Sequence, residues 1–357
     1  MARRKTITIK EVARVANVSV TTVSRYLNGQ LSKMSAETQH RIQQVIQELN
    51  YRPSAAAKNM RTQRTHVIGV IVGDISNVFG AMLFNGMYKA LQPEGYSVMM
   101  LNANNDPDEE ERCVDRLLQQ DVDGLIIHPS RSSFESYHPI ISAKTPLIFV
   151  DRYVTATPPS VTHVTTNNTE ASRDMCQELH DQGYQRLILI SRTTVPGSAQ
   201  KPRIRAIQDT ATTLGLTVYE LDIHGHDTAW LANQIVAHSI GDKHTAVVSL
   251  MGPLLFPTLD ALQLAGLQFP QQIGLISFDD WNWARYAGNG GIDLIMQNPE
   301  RIGYEAGMRM LQAIQAEQVR QDHEARTGMD TKANDAATDA ASNEVIIPAV
   351  RVHGNSL

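Results

Sequence analysis

The stretch Thr8-Ile-Lys-Glu-Val-Ala-Arg-Val-Ala-Asn-Val-Ser-Val-Thr-Thr-Val-Ser-Arg-Tyr-Leu-Asn28 reads as two short helices joined by a tight turn. Thr8 and Glu11 have the spacing of a capping box, in which hydroxyl and carboxylate satisfy the open N–H groups at a helix start. Ile9, Val12, Ala13 and Ala16 then recur on one helical face. Asn17-Val18-Ser19 breaks the pattern: Asn tolerates a left-handed turn, and Ser19 can cap a second helix from Val20 to Leu27. That helix turns Val23 and Leu27 inward and leaves Thr21, Thr22, Ser24 and Arg25 on other faces. Asn28-Gly29 ends it; a third helix is capped at Ser35 and carries Ile42, Val45, Ile46 and Leu49. Three short helices around a small apolar core, the second one polar, match DNA-reading helix-turn-helix modules. Val20 and Thr21 are small enough to approach base edges, and Arg25 can reach a guanine or a phosphate.

Charge points the same way. Residues 1–66 carry twelve Lys and Arg against three Glu, a surplus of nine positive charges. The rest of the chain carries twenty basic against thirty-four acidic residues, so the net charge of −5 conceals a basic head on an acidic body. Such asymmetry suits a head that meets a polyanion. A basic run alone is most often a solvated tail, but the helical pattern within this one argues against that.

The 357 residues are 42% hydrophobic and 19% charged, ordinary for a folded soluble protein and enough for two or three domains. Cys113 and Cys176 are the two cysteines, which argues against a disulfide framework and fits a reducing cytoplasm. Met-Ala-Arg-Arg-Lys leads into Thr6–Glu11 without an apolar core region, so a secretory leader is not expected. No run of 18 apolar residues occurs, and no membrane partner is expected.

From His66 onward, apolar strand-like runs alternate with helical patterns. Val67–Val72, Tyr96–Leu101, Gly124–Ile127 and Pro146–Val150 form a first series, with helices near Val78–Leu91 and Asp108–Gln120. The series restarts after about residue 165 with Arg186–Ile190, Leu216–Leu221, Ala246–Leu250 and Gly274–Phe278. Apolar strands separated by helices predict parallel sheets covered on both faces. Ligands of such sheets bind beyond the carboxyl ends of the strands, so Asn77, Phe79, Asp151 and Arg152 become candidates. Residues 318–344 are polar and Ala/Asp/Thr-rich, which predicts a flexible insertion before a last strand, Val345–Val352.

The Thr8–Asn28 stretch, and Leu49-Asn-Tyr-Arg-Pro-Ser-Ala-Ala-Ala-Lys-Asn-Met60 after it, resemble the helix-turn-helix and hinge segments of the lac repressor (LacI/GalR) family. The resemblance implies an α/β fold: a three-helix head (1–52), a hinge helix and linker (53–65), and a two-lobed, periplasmic-binding-protein-like body of doubly wound parallel sheets (66–357). Lobe 1 would span about 66–165 and lobe 2 about 166–290, with crossovers and the terminal strand in 291–357. It implies a homodimeric regulator, most often a repressor, that binds double-stranded operator DNA under control of a small sugar or sugar-acid effector. Base reading falls to Val20, Thr21 and Arg25, and phosphate contacts to Ser19, Thr22, Ser24 and Asn28, with Thr8 a further DNA-binding residue. In the hinge, Ser54 opens the helix, Ala57 lies in the Ala55-Ala56-Ala57 run suited to close helix pairing, and Met60 stands where a Leu usually wedges into the minor groove. In the body the family pattern adds Arg203, Asp279 and Gln297 to Asp151 and Arg152, as groups that clamp effector oxygens.

Two departures bear on the effector. An Asn-Asp pair common in the family is replaced by Met251-Gly252. Asp279-Asp280-Trp281-Asn282-Trp283 sets two tryptophans beside the expected site, and this run resembles the branch that regulates sugar-acid (ketogluconate) use. A Trp281 or Trp283 face can stack on a sugar, although a core role is as common. His224-x-His226 is an isolated pair, and no Gly-rich phosphate loop or placed nucleophile and base occurs, so neither metal, cofactor nor catalysis is expected. A solute receptor and a DNA-anchored sugar enzyme stay open as rival classes.

Overall fold

The computed structural model describes residues 7–51, 64–193, 198–240, 244–280, 283–287, 290–327 and 343–357. The chain divides into two units, Met1–Thr65 and His66–Leu357.

The first unit contains α1 (Ile9–Val15), α2 (Val20–Leu27) and α3 (Ala36–Glu48). The Thr8 N–H donates to Glu11 Oε2 at 2.8 Å while the Thr8 hydroxyl accepts from the Glu11 N–H, closing the capping box. Ser19 and Ser35 cap α2 and α3 by accepting from the N–H groups of Thr22 and Thr38, at 3.1 and 3.2 Å. Asn17 makes the turn between α1 and α2 with a left-handed φ of 52°. The three helices bury Val12, Ala13, Ala16, Val23, Ile42, Val45 and Tyr51 together; Leu27 is half-buried at the edge.

The body holds two six-stranded sheets. The lobe 1 sheet comprises β1 (Val67–Val72), β2 (Ser97–Asn102), β3 (Gly124–Ile127), β4 (Leu147–Val150), β5 (Thr162–Thr166) and β11 (Glu344–Ile347), in the order β11-β5-β4-β3-β1-β2 and all parallel. The lobe 2 sheet comprises β6 (Arg186–Ser191), β7 (Thr217–Asp222), β8 (Thr245–Ser249), β9 (Gly274–Phe278), β10 (Asp293–Met296) and β12 (Val350–Val352), in the matching order β12-β10-β9-β8-β6-β7. Only β12 is antiparallel to its neighbour. Helices α4 (Val78–Leu91) and α11 (Pro299–Thr327) cover one face of the first sheet, and α5 (Pro107–Leu118) and α6 (His138–Ser142) the other. In lobe 2, α7 (Asn168–Asp181) and α8 (Gln200–Leu214) face α9 (Thr228–Ser239) and α10 (Gly252–Ala265) across the sheet. The doubly wound architecture expected from the sequence is present.

Helices α4 and α11 approach closely because Gly86 and Gly303 stand at their contact. A methyl group on either would run into the facing backbone, Glu300 O or Leu83 O.

The structure corrects three details. Val345–Val352 is not one strand: Pro348-Ala349 splits it, and β11 and β12 join different sheets. Proline has no N–H to continue a ladder, and the Ala349 N–H turns to Asn167 Oδ1 at 2.8 Å. The strands β5 and β10 were not expected from the apolar runs. The insertion expected at 318–344 begins as helix, since α11 continues to Thr327. Glu317, paired with Arg320 and accepting from Gln321 Nε2 at 3.0 Å, supports that polar extension by contacts at i+3 and i+4. Residues 328–342 of the insertion lie outside the described residues. No helix among the described residues is long and apolar enough to cross a membrane.

Candidate functional site

Helix α2 carries Val20, Thr21, Ser24 and Arg25 on one broad face, at i, i+1, i+4 and i+5, and Asn28 caps its end. Val20, Thr21 and Arg25 are exposed, while Val23 faces the core. Ser19 and Thr22 stand at the start of the helix with their hydroxyls 2.8 Å apart, and the Asn28 amide donates to Ser24 O at its end. Thr8 occupies the equivalent start of α1. Helix starts of this kind present N–H groups to phosphate oxygens, and no acidic residue stands in the first turn of α2. Ser54, Ala57 and Met60 lie outside the described residues.

In the body, a cavity of about 340 Å³ opens beyond the strand ends of both lobes. Asn77, Phe79, Asp151 and Arg152 line it from lobe 1, and Arg203, Asp279 and Gln297 from lobe 2. Trp281 lies outside the described residues. Trp283 is not at the cavity: its ring stacks on Phe256, 4.6 Å away, and packs against the lobe 2 core. Met251, Gly252 and Pro253 form an apolar part of the wall.

Arg203 is fully buried. Its Nε donates to Asn168 Oδ1 at 2.8 Å, its Nη1 donates to Leu250 O at 2.6 Å, and its guanidinium lies 4.0 Å above the Phe278 ring. Nη2 is buried with no partner. Burial pulls its pKa down, and the nearby Asp279 and Asp151 oppose that pull. From lobe 1, Arg152 donates to Pro129 O at 3.2 Å and to Asn105 Oδ1. Two guanidinium groups from opposite lobes therefore meet at one cavity.

Two aspartates occupy matching places in the lobes. Asp151 follows β4 and Asp279 follows β9, the equivalent strands of the two sheets. Both have left-handed backbones, φ 62° and 61°, and their N–H groups donate to Val164 O and Ile295 O on the next strand. Their ionisation differs. Burial alone would raise Asp151, but the hydrogen bond from His128 Nε2 to Oδ2 at 2.9 Å, with Arg203 and Arg152 nearby, brings it below its ordinary value. Burial raises Asp279 to about 6, because its partners are the neutral N–H and amide of Gln297, at 2.8 and 2.6 Å, and Arg203 only partly offsets the loss of water. Asp151 Oδ1, His128 Nδ1 and Gln297 Oε1 are buried without partners, like Arg203 Nη2. Buried polar atoms left unpaired are costly, so four of them on residues that line one cavity suit a polar ligand.

The sequence reading missed Asp74, His128, Arg192 and Gln200, which also line the cavity. His128 directly follows β3 and Arg192 directly follows β6, so the strand-end rule that found Asp151 reaches both. Among the described residues no cluster of His, Cys, Asp and Glu could hold a metal ion.

Residues 8–54 match the family model for bacterial regulatory proteins of the lacI family, and residues 68–318 match that for the periplasmic binding protein domain. The chain is 31% identical to the HTH-type transcriptional regulator PtxS of Pseudomonas putida, over 93% of this chain and 95% of that protein. It is 29% identical to the HTH-type transcriptional regulator KdgR of Bacillus subtilis, over 87% and 92% of the two chains. Among solved structures, the lac repressor dimer bound to operator and the anti-inducer ONPF superposes with a TM-score of 0.79 and 20% identity, over 99% of each chain.

Proposed function

The chain belongs to the lacI family of bacterial regulatory proteins and is a DNA-binding transcriptional regulator; from that premise we propose that it is a homodimeric repressor that senses a small sugar acid between its lobes. Val20, Thr21 and Arg25 read base edges in the major groove of a pseudo-palindromic operator, and Thr8, Ser19, Thr22, Ser24 and Asn28 hold the DNA backbone. Ser54, Ala57 and Met60 make the hinge contact with the minor groove.

The observation that carries the effector reading is the pair of guanidinium groups, Arg152 and Arg203, at one cavity of about 340 Å³. A carboxylate leaving water needs a charge-assisted partner, and arginine offers parallel N–H donors. Arg203 Nη2 is buried and unpartnered, ready to donate. Asp151 Oδ1, Gln297 Oε1 and Asp279 supply acceptors for hydroxyl groups. The apolar Met251-Gly252-Pro253 wall gives less to a neutral sugar than a polar pair would. The relatives at 31% and 29% identity, PtxS and KdgR, are HTH-type transcriptional regulators, which supports the DNA-binding part of this reading.

Titration calorimetry with a ketogluconate and with glucose, on the wild type and Arg203→Ala, tests it. The acid binds at least tenfold more tightly than the neutral sugar to the wild type, and Arg203→Ala abolishes that preference. Equal affinities for acid and sugar overturn the charge argument.

A further inference from the structure

We propose that Glu110, which does not line the cavity, is a positioning residue for it: from the first turn of α5 its carboxylate fixes residues 128–131, and through them His128 and Arg152. The proposal rests on the reading of that cavity as the effector site.

Glu110 is fully buried on α5. An apolar side chain there would fill the space without the cost of desolvating a carboxylate, so the bonds it makes are what the carboxylate contributes. Oε2 accepts from the Ser130 N–H at 2.5 Å and Oε1 accepts from the Tyr137 hydroxyl at 2.6 Å. Burial pushes the Glu110 carboxyl up, and those two bonds together with the charge of Arg152 oppose the rise. The next residue is gripped from outside the core. Arg131 donates to Pro107 O at 3.1 and 2.9 Å and pairs with Asp108 and Glu111 at 3.2 and 2.9 Å. One turn of α5 thus holds Ser130 and Arg131 from two sides.

The two preceding residues reach the cavity. Pro129 O accepts from Arg152 Nη1 at 3.2 Å, and His128 Nε2 meets Asp151 Oδ2 at 2.9 Å. Charged and aromatic groups near His128 are Asp151, Arg152 and the Phe79 ring, 5.9 Å away. Burial, helped by the Arg152 charge, holds His128 below its ordinary range, so its ring reports whether the segment keeps its place. Released from Glu110, residues 128–131 gain freedom, His128 hydrates, and Arg152 loses a carbonyl that orients it.

Two readouts on Glu110→Leu, Glu110→Gln and Tyr137→Phe test this. The first is the ¹⁵N signal of the His128 ring in effector-free protein, followed from pH 8 to pH 5. The second is calorimetric affinity for a ketogluconate. Wild-type His128 titrates below the ordinary histidine range. In Glu110→Leu it titrates in the ordinary histidine range and affinity falls about tenfold or more. Glu110→Gln keeps an acceptor for Ser130 and restores both readouts to within about threefold of wild type. If Glu110→Leu does not fold, Tyr137→Phe, which removes one of the two bonds, shifts the His128 titration in the same direction. A stably folded Glu110→Leu with wild-type His128 titration overturns the proposal, as does a Tyr137→Phe protein indistinguishable from wild type. If the wild type binds no ketogluconate, the sugar-acid reading fails, and the His128 titration alone still decides the role of Glu110.

Discussion

Asp279 ionises with difficulty because it is buried against neutral partners, and this has a sign that can be measured. Its folded-state value, raised from 3.8 to about 6, lies above that of the unfolded chain. The protonated form is therefore favoured by folding: its contribution is complete below about pH 4 and is lost as pH rises through about 6. Asp279→Asn removes the penalty, so the effector-free variant gains at most about 3 kcal/mol over wild type at pH 8 and little at pH 4. Denaturant unfolding at the two pH values checks this; an equal effect at both would mean that burial does not raise the group. The Asn oxygen can still accept from the Gln297 N–H, and its amide can donate to Gln297 Oε1, now unpartnered, after a turn of the Gln297 amide. On the DNA side, Arg25→Ala weakens operator binding by about 1–3 kcal/mol and relaxes preference at one base position per half-site, as read by binding to a panel of operator variants. Seven of the eight effector candidates named from the sequence line the cavity, because they follow strands or match a family motif, and the eighth, Trp281, lies outside the described residues. His128 was not among them, although it directly follows β3. Trp283 drew attention by type alone, and sequence cannot say that Phe256 takes its face.

Elements were legible where a period was strong and unreadable where pairing does the work of side chains. The Val20–Leu27 helix and strand β1 coincide with their expected bounds because caps and continuous apolar runs mark them. Strand β5, Thr162-His-Val-Thr-Thr166, has one aliphatic residue, and its place comes from ladders to β4 on one side and β11 on the other. Strand β10 has only four residues, and its Asp293 is tied to Arg351 at 2.6 Å and to the Ser356 N–H at 3.0 Å, partners some sixty positions away. No local pattern announces such an arrangement. Packing at the α4–α11 seam gives a test at this scale. Gly303→Ala puts a methyl against the Leu83 carbonyl and forces the helices apart, which costs about 1–3 kcal/mol of stability. Chemical denaturation measures it, and an alanine variant as stable as wild type would show that the seam has room to spare. At the head, Ser35→Ala removes the acceptor for the Thr38 N–H and costs about 1 kcal/mol, seen as a lower unfolding temperature.

For the whole molecule, ligand linkage joins the two readings. An effector present at a hundred times its Kd stabilises the folded body by about 2.7 kcal/mol, a rise of about 5–10 °C in its unfolding temperature. Calorimetric scanning with a ketogluconate at that concentration should show the full rise in the wild type and at most about half of it in Arg203→Ala; a full rise in the variant would put the ligand elsewhere. The lobes were expected as successive blocks with crossovers in 291–357, and the chain crosses three times, between β5 and α7, between β10 and α11, and between β11 and β12. That threading sets a timetable during synthesis. The helix-turn-helix has its whole core, Val12 to Tyr51, once the first fifty or so residues are free of the ribosome. The sheet begun by Val67 waits for its edge strand, Glu344–Ile347, and for the Pro299–Thr327 helix that covers it. At about 5–20 residues per second, that delay is roughly a quarter of a minute to a minute. A nascent chain can therefore hold a finished DNA-reading head while its sensor is still open, with apolar strands accessible to chaperones and no closed cavity to register the effector.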